Sequence, residues 1–162
     1  MNFSTGLAWR WQGIWWARSW SIGWLTAPSA VFAFRKQSYC GEDDTACHAH
    51  KGRTKRTEVM YMEAGTIYIY LCYGVHWLLN IVTGDVEDPQ AVLIRACVGA
   101  AGPGKLTKAL QITGDLNRGS VLGDEVWVED DGFDCCVTTG KRVGISYAAK
   151  EDQDKLWRFK IK

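Results

Sequence analysis

Acidic residues are missing from the beginning of this sequence, and their absence divides the chain in two. The first Asp or Glu is Glu42, whereas six of the nine tryptophans fall within the first 24 residues. Residues 1–38 carry four basic side chains and no acidic one. We therefore separate residues 1–38, an atypical Trp-rich segment, from residues 39–162, the domain predicted to carry the function.

Other features of common protein classes are absent too. No apolar run approaches the roughly 20 residues that a membrane-spanning helix needs, so we expect no membrane association. The 19 Lys and Arg residues nearly balance the 18 Asp and Glu residues, giving a net charge of +1. This balance excludes a strongly basic nucleic-acid-binding protein but leaves a local basic surface open.

What is present is typical of one folded domain. Of the 162 residues, 47% are hydrophobic and 23% are charged, which is ordinary for a globular protein. A chain of this length can bury a core without disulfides, and Cys72 and Cys97 lie in apolar runs where buried thiols are common. The six cysteines therefore indicate a reducing compartment, namely the cytoplasm, or the nucleus if the host is a eukaryote.

Alternating patterns of hydrophobic residues predict a β-rich α+β domain with few helices. Gly102 and Pro103 predict the start of a short helix with Leu106, Ala109 and Leu110 on one face. The runs predicted to be strands are 66–73, 75–83, 91–98, 125–129 and 156–162.

Two cysteines and two histidines near residue 45 do not form a pattern typical of a metal site. Cys40, Cys47, His48 and His50 have the spacing C-x6-C-H-x-H, which matches no tetrahedral zinc motif. Free thiols and loop histidines are the better interpretation, and we expect no metal and no cofactor.

A basic segment precedes a run of tyrosines. Residues 48–57, HAHKGRTKRT, contain four basic residues and no acidic one, and Tyr68, Tyr70 and Tyr73 follow. Basic residues beside exposed aromatic rings suit the binding of nucleic-acid phosphates and the stacking of bases. A solvated loop beside tyrosines that pack in a sheet explains the same residues, so both interpretations stay open at this point.

Longer motifs resolve this ambiguity, because they resemble the 3-methyladenine (alkyladenine or methylpurine) DNA glycosylases. The motifs are YCGEDDTACHAHKGRTKRTEVMYMEAGTIYIYLCYGVHWLLNIVT (39–83), AVLIRA (91–96), GPGKLTKALQI (102–112), DEVWVED (124–130) and KRVGISYA (141–148). They occur in the family's order, and the resemblance covers about three quarters of the chain, from Tyr39 to the C-terminus. The resemblance implies one compact mixed domain of the methylpurine-glycosylase type, with a curved antiparallel β-sheet, that flips damaged purines out of duplex DNA.

The resemblance also implies roles for individual aromatic and polar residues. Tyr73 matches the residue that intercalates into the duplex, while Tyr39 and Tyr70 match the pair that stacks on the flipped base. His48 matches the residue that packs on the base and hydrogen-bonds to it. Asn80 matches the residue that clashes with the exocyclic amine of guanine. Because alkylated purines are cationic, aromatic rings would hold them by cation–π attraction.

Basic residues complete the implied site. Arg95 matches a residue near the sugar-phosphate and the attacking water, and Lys51 and Arg53 are candidates for contact with DNA phosphates. The expected partner is double-stranded DNA containing alkylated or deaminated purines, and the expected state is a monomer.

One position departs from the family pattern in a way that concerns catalysis. Where the family has Glu-Thr-Glu-Ala-Tyr, residues 35–39 read Arg-Lys-Gln-Ser-Tyr. Gln37 therefore takes the place of the glutamate that acts as general base. A carboxamide can hydrogen-bond a water molecule, but it cannot accept its proton near neutral pH.

Residues 1–38 also lack the family's opening elements, and two explanations stay open. A frameshift that closes near Ser38 accounts for the missing acids and for the lost motif, since suitable codons would encode Glu-Thr-Glu in another frame. A divergent or disordered N-terminal segment is the alternative. At the other end, relatives are expected to continue slightly beyond residue 162.

Three functions follow for this chain. The first is a monofunctional glycosylase that uses water to excise 3-methyladenine, 7-methylguanine or hypoxanthine and thereby starts base excision repair. The second is a homologue that binds lesion DNA without cutting, because Gln37 replaces the general base. The third is an inactive product that folds poorly.

Overall fold

The alternating segments of the sequence form antiparallel strands in the computed structural model, which describes residues 18–24, 27–123, 125–134 and 136–161. Two short α-helices occur in these ranges, α1 (Pro103–Ala109) and α2 (Lys150–Asp154). Single 3-10 turns cover His48–Lys51, Glu58–Tyr61 and Gly114–Leu116. The strands are β1 (Arg18–Trp24), β2 (Ala27–Cys40), β3 (Ile67–Cys72), β4 (His76–Val82), β5 (Gln90–Cys97), β6 (Ala100–Ala101), β7 (Val126–Asp134), β8 (Val137–Gly140) and β9 (Arg158–Ile161).

Across the described ranges these nine strands form one antiparallel sheet. The main order is β3-β4-β5-β2-β1-β7, with β6 beside β5, β9 beside β2 and β8 beside β9. The predicted α+β class with an antiparallel sheet and few helices is therefore confirmed. The described part of the chain has no helix with the length and apolar character needed to cross a membrane.

β2 is the strand that connects the parts of the sheet. It pairs with β1 through residues 27–32, with β5 through residues 33–40 and with β9 through residues 35–37. The predicted division at residue 38 falls inside this strand. Residues 1–17 and four of the six early tryptophans lie outside the described residues, so the division of the chain stays a prediction.

The two faces of the sheet bury different sets of side chains, because successive residues of a strand point to opposite sides. Ile67 and Ile69 of β3 pack with Leu106 and Leu110 of α1 in a purely apolar core. Tyr68, between them, belongs to a second cluster on the opposite face; its other buried members are Cys47, Ala49, Val59, Met60, Tyr61, Val82 and Ala91. The aromatic face is thus a consequence of the period of two in β3.

α1 begins as predicted. Gly102 precedes the helix and Pro103 occupies its first turn. Leu106 and Leu110 are buried, whereas Ala109 is exposed. Thr107 takes the buried position instead and donates a hydrogen bond to the carbonyl of Trp77 at 2.7 Å. A helix of seven residues buries only a narrow stripe of side chains against the sheet. The hydrogen bond to the carbonyl of Trp77 determines which side chains lie in that stripe.

A buried ion pair links two parts of the chain that are distant in sequence. Arg142 Nη1 and Nη2 donate to Asp44 Oδ2 and Oδ1 at 2.5 and 2.7 Å, and both side chains are almost wholly buried. Asp44 also accepts from the backbone N–H of Cys40 and of Ala46. Arg142 donates in addition to the carbonyl of Ser38. The pair therefore fixes the loop after β2 against the segment after β8.

We predict that Arg142→Ala lowers the free energy of unfolding by about 3–5 kcal/mol, because it leaves the Asp44 carboxylate buried without its partner. Urea denaturation provides the measurement. Lys150→Ala is the matched control, since it removes a solvent-exposed partner of Asp154 and should change stability little. Equal losses in the two variants would contradict a structural role for the buried pair.

Candidate functional site

A cavity of about 670 Å³ opens on the aromatic face of the sheet. β2, β3, β4 and β5 supply its floor, while the 3-10 turn at His48–Lys51, the start of α1 and residues 143–147 supply its rim. Six of the predicted site residues line it together: Tyr39, His48, Tyr70, Tyr73, Asn80 and Arg95.

Three rings form a connected wall of this cavity. His48 lies 4.6 Å from Tyr70 between ring centroids, in an edge-to-face arrangement, and Tyr68 lies 5.5 Å from Tyr70. His48 Nδ1 and the hydroxyl of Tyr68 are hydrogen-bonded at 2.9 Å. Sequence reasoning gave Tyr68 no role of its own, although it shares a face with Tyr70 by the period of two.

His48 is neutral at physiological pH. Burial lowers its pKa to about 4, and the nearby positive charge of Arg56 acts in the same direction. A neutral imidazole offers one donor and one acceptor. Since Nδ1 is occupied by Tyr68, Nε2 is the atom that can hydrogen-bond to a ligand.

The tyrosines also present neutral surfaces. Burial raises the pKa of Tyr39 and that of Tyr68 to about 12. Burial raises the pKa of Tyr70 well above its ordinary value as well, and the nearby Tyr39 hydroxyl adds to this effect. All three phenols stay protonated, so their rings can stack on a planar ligand without adding charge.

Gln37 lies behind the cavity wall rather than on it. Its side chain is fully buried, and its Nε2 donates to the hydroxyl of Tyr39 at 2.7 Å and to the carbonyl of Val143 at 3.2 Å. Its Oε1 accepts from the N–H of Val143 at 3.2 Å and from Arg95 Nη1 at 3.4 Å. These four bonds use the donor and acceptor capacity of the carboxamide. Gln37 thus contacts Tyr39 and Arg95, two of the predicted site residues, from behind the wall.

Asn80 forms a rigid part of the floor. It pairs with Tyr68 across β3 and β4, and it is 3% exposed. Its Nδ2 donates to the carbonyls of Tyr68 and Leu78. The amide cannot move without breaking these bonds, so its position restricts the shape of any ligand.

Tyr73 is presented to solvent by the tight turn between β3 and β4. Its side chain is 94% exposed, and its φ of 51° lies in the left-handed region that bulky residues rarely adopt. Gly74 follows with φ 72°, and the N–H of Val75 bonds to the carbonyl of Cys72. A strained, exposed tyrosine at a cavity mouth contributes nothing to the core and is typical of a binding residue.

The basic residues of the 48–57 segment point in different directions. Arg53 forms a 2.5 Å ion pair with Glu87 and lies over the ring of Tyr61, and Lys51 is exposed. Arg56, which sequence reasoning did not single out, lines the cavity and lies 5.0 Å from the centroid of Tyr70. Loop residues follow no periodicity, so nothing in the sequence separates Arg56 from its neighbours.

One further aromatic residue stands at the rim. Tyr147 is 68% exposed, and its hydroxyl donates to the carbonyl of Ala46 at 3.0 Å. It lies in the KRVGISYA motif, for which sequence reasoning assigned no individual roles. The described residues contain no group of three or more His, Cys, Asp or Glu side chains placed to hold a metal ion.

Comparisons with known proteins agree with this geometry. The chain matches the family model for methylpurine-DNA glycosylase (MPG) over residues 36–99 and 98–162. A protein of Psychrobacter cryohalolentis is 45% identical over 71% of this chain and 68% of its own length. Proteins of Borrelia garinii and Rickettsia felis are each 41% identical, over 78% and 77% of this chain and 75% and 73% of their own lengths.

All three relatives carry the provisional name 3-methyladenine DNA glycosylase. The family match begins at Lys36, close to the point at which the sequence motifs begin. Together with the antiparallel sheet and the aromatic cavity, these matches confirm the predicted resemblance. The chain belongs to the methylpurine-DNA glycosylase family, whose members are DNA-repair hydrolases that act on DNA.

Proposed function

We propose that this chain binds duplex DNA, flips an alkylated or deaminated purine out of the helix and holds it in the aromatic cavity. The observation that carries the proposal is the placement of Tyr39, His48 and Tyr70 around one cavity with Tyr73 exposed at its mouth. A flipped base needs flat apolar walls inside and a side chain outside to occupy the gap that it leaves.

Tyr73 acts as the wedge in this proposal. Extruding a base costs a few kcal/mol of stacking and pairing, and an inserted phenol ring restores part of the stacking. The turn holds Tyr73 away from the sheet, so the ring can enter the duplex without distorting the core. Lys51, which is exposed, would contact a phosphate beside the lesion, whereas Arg53 would first have to leave Glu87.

His48 and Asn80 select the base. Nε2 of His48 would hydrogen-bond to the purine, while the fixed amide of Asn80 would leave no room for the exocyclic amine of an undamaged guanine. Alkylated adenines and hypoxanthine lack that amine and would fit. 7-Methylguanine retains it and would depend on its good leaving-group character.

In this proposal, the residue at position 37 limits the rate of excision. Water would be the nucleophile, and Arg95, which lines the cavity and donates to Gln37 Oε1, would orient it. A carboxamide cannot remove a proton from water. Cationic 3-methyladenine and 7-methylguanine depart readily and would be excised slowly, whereas hypoxanthine would be bound and excised hardly at all.

The alternative function is capture of lesion DNA without excision. Gln37 favours it, because the four hydrogen bonds of the carboxamide make a stable wall and supply no base. In both forms of the proposal the protein works as a monomer in the compartment that holds the genome.

We predict that Gln37→Glu raises the excision rate about 10²–10⁴-fold, the usual contribution of a positioned general base. The gain should be larger for hypoxanthine than for 3-methyladenine, because a neutral leaving group needs more help. Single-turnover excision by the parent and the variant, beside equilibrium binding to a duplex with an abasic analogue, provides the measurement.

Gln37→Met is the control for this prediction, since it removes the hydrogen bonds without adding a carboxylate and should not accelerate excision. Excision by the parent supports the glycosylase, and binding alone supports the capture function. A folded Gln37→Glu protein that binds lesion DNA with both rates unchanged would show that residue 37 is not at the general-base position.

We predict that Tyr73→Ala weakens binding to a lesion duplex by about 5- to 150-fold, the range for loss of one stacked ring. Stability should hardly change, because the side chain is 94% exposed. Fluorescence of a 2-aminopurine beside the lesion measures flipping directly. Tyr73→Phe keeps a ring that can stack and should bind and flip like the parent. Val75→Ala changes an exposed neighbour and should leave binding and flipping unchanged. Unaltered flipping in Tyr73→Ala would rule out the wedge.

We predict that His48 makes the protein less stable in mild acid. Its pKa of about 4 lies below the ordinary 6.5, so the folded state binds its proton more weakly than the unfolded state does. The stabilising contribution is complete above pH 6.5 and is lost as the pH falls from 6.5 toward 4.

Urea denaturation at pH 7.5 and pH 5 tests this, with His48→Gln expected to lose less stability between the two values than the parent. His50→Gln, at the exposed histidine of the same turn, should behave like the parent. The same pH dependence in all three proteins would contradict the prediction.

A further inference from the structure

The positive charge of Arg56 lies close enough to the cavity to act on a purine bound there. Its guanidinium carbon lies 5.0 Å from the ring centroid of Tyr70, and the residue lines the cavity. The same charge adds to the effect of burial in lowering the pKa of His48 and, with a hydrogen bond, opposes the rise that burial causes in the pKa of the Tyr68 hydroxyl. Three rings of the wall are thus electrostatically coupled to one cation.

The backbone turn that carries Arg56 is held in place. Thr57 is buried, and its Oγ1 donates to the carbonyl of Gly52 at 3.1 Å and accepts from the N–H of Thr54 at 2.8 Å. Arg53, on the other side of the turn, is engaged by Glu87 and Tyr61. The turn therefore directs Arg53 away from the cavity and Arg56 toward it.

Nothing in the described lining offsets this charge. The formally charged side chains among the described lining residues are all basic: Arg56, Arg95 and Lys105. Behind the wall, Gln37 is a neutral residue and adds no negative charge. A purine that carries a positive charge would therefore meet repulsion that an uncharged purine of the same shape avoids.

We propose that Arg56 is a specificity-determining residue that makes the cavity disfavour cationic purines relative to neutral purines of equal shape. This inference rests on the proposed function, because it concerns the lesion held in the same cavity. The guanidinium of Arg56 makes its own cation–π contact with the ring of Tyr70. Its charge therefore opposes the cation–π attraction that the aromatic wall would otherwise offer to an alkylated base.

The size of the effect follows from the geometry. A purine stacked on the face of Tyr70 remote from Arg56 would lie roughly 8 Å from the guanidinium, and because Arg56 is exposed, solvent screens the repulsion. We expect removal of the charge to favour a cationic lesion over a neutral one by about 3- to 30-fold. A phosphate contact by Arg56 would instead affect every duplex alike.

The test uses two duplexes that differ only in the charge of one base. One contains 7-methyladenine on a 2′-fluoro sugar, which is cationic and resists excision, and the other contains the neutral isostere 7-methyl-7-deazaadenine. Both lack the guanine amine, so Asn80 excludes neither base from the cavity, and the ratio of the two Kd values reports the effect of charge. The parent, Arg56→Gln, Arg56→Lys and Lys55→Gln are compared by fluorescence anisotropy at one salt concentration.

In Arg56→Gln the ratio should shift toward the cationic duplex by about 3- to 30-fold. Arg56→Lys retains the charge and should keep the parent ratio. Lys55→Gln should keep it too, because Lys55 is an exposed neighbour outside the described lining. An unchanged ratio in Arg56→Gln, or equal weakening of both duplexes, overturns the inference while leaving lesion capture intact. If the parent binds neither duplex better than undamaged DNA, the proposed function fails and the inference fails with it.

Discussion

The ion pair between Arg142 and Asp44 is the interaction on which the rest of the site depends. It joins two segments that lie 98 residues apart in the sequence, and its bidentate geometry leaves little freedom to either side chain. Val143 follows Arg142 directly and holds Gln37 by two hydrogen bonds, while Ala46 follows the Asp44 loop and holds Tyr147. A buried charge pair is costly to desolvate, so its position beside the cavity points to geometric specification rather than to net stability.

The second constraint is the alternation of residues along β3. Ile67 and Ile69 enter the apolar core, and for that reason Tyr68 and Tyr70 must point to the other face, where His48 meets both. A shift of register by one residue would place the tyrosines in the core and the isoleucines in the cavity. The same pattern that stabilises the sheet thus also builds the aromatic wall.

Much of this arrangement is predictable from the sequence because it depends on local periodicity. The strands follow from alternation, and the resemblance brings Tyr39, His48 and Asn80 to one cavity, as the structure does. The burial of Thr107 was not predictable, because a backbone carbonyl, which no pattern reveals, orients the short helix. Arg56 and the Arg142–Asp44 pair were missed since loop side chains are directed by partners far away in the chain.

Gln37 connects these constraints to the chemistry. In a cavity whose described lining carries only basic charges, a glutamate at this position would serve two purposes at once, since it would take a proton from water and attract a cationic base. Its replacement by a carboxamide removes both, yet the hydrogen bonds to Tyr39, Val143 and Arg95 preserve the wall. In the proposed function, binding would depend on the shape of that wall and hydrolysis on its charge. The two properties would then separate at this one residue.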